Sequence, residues 1–169
     1  MRDSQSSSSQ GLTASDMVAF VALLATALAM GAALAHALEF PNKIELSPDN
    51  YLIVQTAYRG WSLLAFLLVI EVAAMLWLAV RYRAVPRVFW PTVAALACVA
   101  AAQAIFWIWT FPANQVTDNW TVLPDNFETL RAQWEYSHLA GAAFQVLAMA
   151  AIAIAVIARC SAREAVETP

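Results

Sequence analysis

Four long apolar segments, separated by short polar ones, dominate the pattern of this chain. They are residues 17–38, 61–80, 89–110 and 137–158. Each spans about 20 residues, and a helix of that length crosses a hydrocarbon layer of about 30 Å. The pattern therefore predicts an all-α integral membrane protein folded as an antiparallel four-helix bundle.

Polar segments at both ends of the chain flank the predicted helices. Residues 1–15 are rich in serine and offer few apolar side chains to bury, so we predict a disordered N-terminal tail. Residues 16–160 are assigned to one four-helix transmembrane domain. Residues 161–169 form a short C-terminal tail.

Basic residues cluster in the second connection and after the fourth segment. Arg81, Arg83 and Arg87 lie in that connection without an acidic neighbour, and Arg159 and Arg163 follow the fourth segment. Lysine and arginine are enriched in cytoplasmic loops, so both termini are predicted to lie in the cytoplasm. The first and third connections then lie on the outer side.

Composition narrows the range of functions. Of the 169 residues, 62% are hydrophobic and 12% are charged, with a net charge of −3. Such a chain is surrounded by membrane lipid and offers no basic surface for nucleic acid. Cys98 and Cys160 do not form a C-x-x-C motif, which argues against thiol redox chemistry. The composition does not decide whether the chain associates into a homo-oligomer.

Polar side chains within the segments, or directly beside them, are concentrated toward the outer side. The set comprises His36, Glu39, Gln103, Glu135, His138 and Gln145. Polar groups are costly in hydrocarbon and usually face the interior of a bundle. Helical spacing puts Gln103 on the same face as Thr110, and Gln145 on the same face as His138. We therefore predict a substrate pocket that opens on the outer side.

Glu71 lies deeper than the other polar residues, ten positions after Trp61 and therefore roughly 15 Å into the bilayer. A carboxyl group at that depth is a candidate proton-exchanging group. The alternative is a protonated carboxyl that is hydrogen-bonded to a backbone carbonyl, to Gln103 or to Gln145.

Glu135 and His138 have the Glu-x-x-His spacing that di-iron bundles use for their ligands. Those sites need two such pairs and two further glutamates. This chain has only two histidines, and the first helix carries the reversed order, His36-x-x-Glu39. We therefore predict no metal site.

The outer connections contain the most distinctive sequence motifs of the chain. Pro112 and Asn114 form a Pro-x-Asn motif after the third segment, and Trp134 and His138 form Trp-x-x-x-His at the start of the fourth. With these motifs the chain resembles the small four-helix membrane proteins grouped with anthrone oxygenases. The resemblance covers the four-helix layout and the third connection, and its bacterial members imply a location in the bacterial inner membrane.

The resemblance implies oxidation of an apolar polycyclic phenol to a quinone by dioxygen, without a metal or flavin cofactor. Carried over by position, Asn114, Trp134 and His138 would form the reactive pocket. The histidine would remove a proton, and the asparagine would stabilise the resulting anion. Residues 140–142 lack the arginine expected of the family, so Arg59 is the expected replacement.

Structural roles remain open for the same side chains. His138 can be a helix-start residue hydrogen-bonded to Glu135, and His36 a packed side chain without chemistry. Asn114 can end a helix in an Asx turn, and Arg59 can pair with an acidic residue of the outer loops. The alternative to an enzyme is a non-catalytic membrane protein, either a subunit of a larger complex or a lipid-binding accessory protein.

Overall fold

The computed structural model describes residues 11–167, with side chains up to Ser161. Four helical stretches are long and apolar enough to cross a membrane: Ala14–Lys43, Trp61–Arg81, Pro86–Val116 and Phe127–Ser161. Large apolar side chains such as Phe20, Phe66 and Ile154 are exposed on them, as expected of surfaces that face lipid. The predictions of an all-helical fold and of four apolar helices are confirmed. Of the predicted N-terminal tail, residues 1–10 lie outside the described residues.

The described residues form six α-helices. They are α1 (Ala14–Lys43), α2 (Pro48–Gln55), α3 (Leu64–Arg81), α4 (Pro86–Ile105), α5 (Phe111–Val116) and α6 (Phe127–Glu167). Single 3₁₀ turns, Thr56–Tyr58 and Trp61–Leu63, lie between α2 and α3, and a π-helical turn, Phe106–Thr110, joins α4 to α5. The helices extend beyond the apolar segments because helical backbone does not end where side chains become polar. In α6 this extension adds ten residues before the predicted start at Ser137.

Helix α1 begins at a capping box formed by Thr13 and Asp16. The Thr13 hydroxyl oxygen accepts the Asp16 N–H at 3.2 Å, and the Asp16 carboxylate accepts the Thr13 N–H at 2.8 Å. Two N–H groups that a helix start leaves unpaired are thereby satisfied. The helix then continues through Pro41 to Lys43, five residues beyond the predicted end.

The four long helices pack in a ring in which α1 contacts α3 and α6, and α4 contacts α3 and α6. Small residues such as Ala22, Ala95 and Ala148 fill the core together with Met75 and Ile152. Alanine at these positions lets helix backbones approach closely, as in other membrane bundles.

Not every alanine of the long helices lies in the core. Ala97 of α4 is exposed, and the buried positions of that helix are Thr92, Ala95, Val99 and Ala102. On α1, Ala29 and Ala33 line a cavity instead of a helix contact. Hydrophobicity alone therefore does not tell an outward-facing alanine such as Ala97 from a core alanine such as Ala95.

The third apolar helix does not end at Thr110. The π-helical turn Phe106–Thr110 passes directly into α5, and Pro112, which has no N–H to donate, follows this wider turn. The wider turn points Thr110 inward, and its hydroxyl lies 2.7 Å from that of Ser137 on α6. This contact holds the π-helical turn against α6 beside the cavity.

The bundle has two different ends. One, here called the loop end, holds residues 44–63 and 117–126, where Tyr51, Trp120, Phe127 and Trp134 form a second apolar cluster. At the other, the basic end, Arg159 donates to the Asp16 carboxylate at 2.8 Å. All polar features described below lie at the loop end or beneath it.

Candidate functional site

A cavity of about 880 Å³ lies between the four long helices and reaches from the loop end into the bundle. The sequence-predicted residues that line it are His36, Arg59, Glu71, Gln103, Asn114, Trp134, His138 and Gln145. Two further predicted pocket residues, Glu39 and Glu135, do not line it. Cavities of roughly 300–1,000 Å³ accommodate drug-sized ligands, so the volume suits a small apolar molecule.

Aromatic rings surround two imidazoles at the part of this cavity nearest the loop end. The ring centroids of His36 and His138 are 4.3 Å apart, and Trp134 packs 3.8 Å from His138 and 5.2 Å from His36. Tyr58 and Trp61 contact His36 at 4.5 Å and 5.0 Å. A planar aromatic ligand can pack against such rings while the imidazoles supply polar atoms.

His138 has a defined proton arrangement. Its Nδ1 lies 2.9 Å from the backbone oxygen of Trp134, and since a carbonyl oxygen only accepts, Nδ1 carries the hydrogen. In the neutral ring Nε2 is then an acceptor, and it has no hydrogen-bond partner among the described residues. The alternative of a helix-start residue bonded to Glu135 does not hold, because α6 begins at Phe127 and the bond goes to Trp134.

Asn114 is oriented by two tryptophans. Its Oδ1 accepts the indole N–H groups of Trp120 and Trp134, each at 2.9 Å. Since indoles only donate, the amide oxygen must face them, and the amide NH₂ remains without a protein partner within the described range. Its side chain forms no Asx turn. Asn114 therefore offers two donors to the cavity that it lines.

A left-handed turn brings Trp120 to the cavity wall. Asp118, Asn119 and Trp120 have φ angles of +47°, +54° and +63°. A bulky residue rarely adopts this conformation, which costs roughly 1–2 kcal/mol per residue. The turn is held by the Asn119 N–H, which donates to the Asn114 backbone oxygen at 2.7 Å. The same chain segment thus fixes both Asn114 and its indole partner.

Behind Trp134 lies a buried ionic cluster around Lys43. Its Nζ lies 3.2 Å from Glu135 Oε1 and donates to the Tyr58 hydroxyl at 2.9 Å. The ammonium also lies 4.2 Å from the centre of the Trp134 ring, a cation–π contact. The Tyr51 hydroxyl donates to Glu135 Oε1 at 2.8 Å. Lys43 of this cluster thereby packs over the ring of Trp134. The imidazoles of His36 and His138 contact the same ring.

The two tyrosines of this cluster are held as neutral donors. Burial, together with the Glu135 carboxylate, raises the pKa of the Tyr51 hydroxyl, and burial together with Glu39 raises that of Tyr58. Tyr58 donates its hydroxyl hydrogen to Glu39. Glu39 and Glu135 are thus partners of these side chains and not part of the cavity wall.

The deep part of the cavity contains polar atoms without partners. Both carboxyl oxygens of Glu71 and the Oε1 of Gln145 are buried and make no hydrogen bond among the described residues. Gln103 lines the same cavity and is half-buried. The predicted hydrogen bond between Glu71 and either glutamine is therefore not formed.

Arg59 lies at the mouth of the cavity and is exposed. Within residues 11–161 it forms no ion pair; the ion pairs described there are those of Lys43, Arg131 and Arg159. The proposed pairing with an acidic loop residue is therefore not seen, and its guanidinium is available to a ligand at the mouth.

Several residues of the site were not predicted from the sequence. Lys43 follows His36 by seven residues, two helical turns on the same face, and that spacing is the signal that was available. Tyr51 and Trp120 have no comparable signal. Their positions depend on the short helix α2 and the left-handed turn, which are set by tertiary contacts.

Glu135 and His138 do not share a metal site. Glu135 contacts Lys43 and Tyr51, whereas His138 faces the cavity. Among the described residues no group of three or more His, Cys, Asp or Glu side chains is arranged to hold a metal ion.

No protein-family model, curated protein or solved structure matches the chain. A functional assignment therefore rests on the cavity and the side chains around it.

Proposed function

We propose that this chain is a membrane enzyme that oxidises an apolar polycyclic phenol with dioxygen, with His138 as its base. The supporting observation is that His138 Nε2, an acceptor, and the Asn114 amide, a donor, line one cavity and have no partner among the residues that the structure describes. A base and an adjacent anion-stabilising donor are what the removal of an acidic C–H proton requires.

The reaction converts a ring methylene into a carbonyl. His138 takes one methylene proton, and the electron pair of that C–H bond is delocalised over the ring system as an anion next to Asn114. Dioxygen accepts these electrons and forms a C–O bond, and the imidazolium returns the proton to the outer oxygen to give a hydroperoxide. Loss of the second C–H proton with cleavage of the O–O bond releases water and leaves the ketone. One dioxygen is consumed and one water is formed.

The surroundings favour this chemistry. Trp134 and Trp61 provide aromatic faces beside the imidazoles, and dioxygen and an apolar phenol both dissolve readily in the lipid around the bundle. Lys43 packs over the ring of Trp134, and Glu135 pairs with Lys43. Neither group needs to contact the substrate.

The orientation that we infer has antiparallel helices and both termini in the cytoplasm of a bacterial inner membrane. Arg81, Arg83 and Arg87 lie around the connection between α3 and α4, at the basic end. The positive-inside rule assigns that end to the cytoplasm. The cavity then opens toward the outer side.

A non-catalytic lipid-binding protein is the second candidate. The apolar wall formed by Ala29, Ala33, Leu67 and Leu68 favours it, because an acyl chain can occupy that space without any chemistry.

The test is dioxygen uptake with anthrone as substrate, using purified protein in lipid vesicles and protein-free vesicles as the blank. We expect uptake above the blank, reduced about 10²- to 10⁴-fold in His138→Ala, which loses the base. The exposed Gln115→Leu serves as the matched control and should behave like wild type. Uptake equal to the blank, or unchanged in His138→Ala, would refute the enzyme. If the wild-type protein shows no such uptake and co-purifies with a lipid, the result supports the second candidate.

A further inference from the structure

The inner end of the cavity presents hydrogen-bond acceptors that no described residue satisfies. Glu71 is 0% exposed, yet neither of its carboxyl oxygens has a hydrogen-bond partner within the described chain. Thr26 faces it from α1, but the hydroxyl of Thr26 donates to the Ala22 carbonyl at 2.8 Å. Gln145, on α6, likewise has an unpartnered Oε1. An unsatisfied buried polar atom costs roughly 1–3 kcal/mol, so two such groups at one cavity point to a ligand.

These acceptors lie well below the imidazoles. Gln145 follows His138 by seven residues on α6, a rise of about 10 Å. Glu71 follows Trp61, whose ring contacts His36, by ten residues, a rise of about 15 Å. The same cavity reaches both levels.

The two ends of the cavity therefore have complementary hydrogen-bonding characters. At the outer end the Asn114 amide donates toward a ligand oxygen, while at the inner end the Gln145 Oε1 and the carbonyl oxygen of the Glu71 carboxyl group accept. Alanine side chains, among them Ala29, Ala33 and Ala142, line the space between them and leave room for a flat apolar body.

We propose that Glu71 and Gln145 form a second recognition site, which binds a hydroxyl group at the far end of an elongated aromatic ligand. The ligand class is thus a fused-ring phenol with oxygen substituents at two opposite ends, about 10 Å apart along the helix axis. That the ligand is a phenol rests on the proposed function. The requirement for a hydrogen-bond donor at the inner end follows from the unpartnered acceptors alone.

The test compares the binding of 2,6-dihydroxyanthraquinone with that of 2-hydroxyanthraquinone, measured as quenching of tryptophan fluorescence in detergent. The first probe carries hydroxyl groups at opposite ends of three fused rings, and the second lacks one of them. Wild type should bind the first about threefold to tenfold more tightly, the contribution of one hydrogen bond. Gln145→Leu and Glu71→Leu should each reduce this preference, because each removes one of the two acceptors at the inner end. Gln115→Leu is the matched control and should keep the wild-type ratio.

Glu71→Gln guards against misfolding of the leucine variant, because it keeps one acceptor oxygen and nearly the same shape. It should retain part of the preference for the dihydroxy probe. Equal binding of both probes by wild type, no binding of either, or a full preference in Gln145→Leu would each overturn the second site.

The two proposals fail independently. If the probe preference depends on Gln145 but no dioxygen uptake occurs, the oxygenase fails and the recognition site stands. If uptake depends on His138 but wild type does not distinguish the probes, the recognition site fails and the oxygenase stands.

Discussion

The ammonium of Lys43 lies 3.2 Å from the Glu135 carboxylate, and their side chains are only 3% and 0% exposed. Two charges are rarely removed from water so completely unless further groups satisfy them. Here the hydroxyl groups of Tyr51 and Tyr58 and the ring of Trp134 complete the shell. The pair joins the end of α1 to α6 directly behind the imidazoles, so the geometry of the site depends on it.

Lys43→Met should destabilise the protein strongly. The substitution leaves the Glu135 carboxylate buried without its cation, and such losses cost about 3–5 kcal/mol. Thermal unfolding in detergent, followed by tryptophan fluorescence, measures the effect.

Two further variants serve as controls for Lys43→Met. Lys43→Met combined with Glu135→Leu removes both charges and should recover much of the lost stability. Glu128→Gln breaks the more exposed ion pair with Arg131 and should cost at most about 1 kcal/mol. Wild-type stability in Lys43→Met would mean that the buried pair makes no net contribution.

Asn114→Leu should reduce dioxygen uptake about 10²- to 10³-fold, the usual effect of losing a donor that stabilises a developing anion. The same substitution also removes the acceptor of two indole N–H groups. Trp120→Phe separates these roles, because it deletes one indole bond and leaves the Asn114 amide intact. It should lower uptake by less than about tenfold. Equal losses in the two variants would show that Asn114 acts only by holding the tryptophans.

Asp118→Val should destabilise the third connection, because Asp118 has a φ of +47° and a β-branched side chain is poorly tolerated there. The expected loss is about 1–2 kcal/mol. Asp118→Gly, which suits a positive φ, should change stability by less than about 1 kcal/mol. Asp125→Val in the same connection provides the control, since Asp125 is exposed and has no positive φ. Equal unfolding temperatures for the two valine variants would argue against strain in the turn.

The four helices were predictable because hydrophobicity over 20 residues is a strong and local signal. The polar residues of the cavity were predictable for a related reason: a residue such as Gln103 or Gln145 has few favourable positions in an apolar helix other than the interior. Helical spacing was enough to relate Gln103 to Thr110 and Gln145 to His138.

The residues that complete the site depend on contacts far apart in the sequence. Lys43 and Glu135 are separated by 92 positions, and no local pattern pairs them. Trp120 reaches the cavity through backbone angles that favour glycine or asparagine, not tryptophan. Glu39 and Glu135 were assigned to the pocket for their polarity, but each instead satisfies a neighbouring tyrosine.

The inferred orientation predicts which cysteines a membrane-impermeant maleimide can label in intact cells. Cys160 is exposed near the basic end, and Val122 is exposed in the third connection at the loop end. Two single-cysteine proteins are needed: one with Cys98→Ser that retains Cys160, and one with Val122→Cys in which both native cysteines are serine.

The Val122→Cys protein should be labelled in intact cells. Cys160 should be labelled only after permeabilisation, because the positive-inside rule puts the basic end in the cytoplasm. A protein with both cysteines replaced by serine gives the background. Labelling of Cys160 in intact cells, without labelling at position 122, would invert the orientation and open the cavity to the cytoplasm.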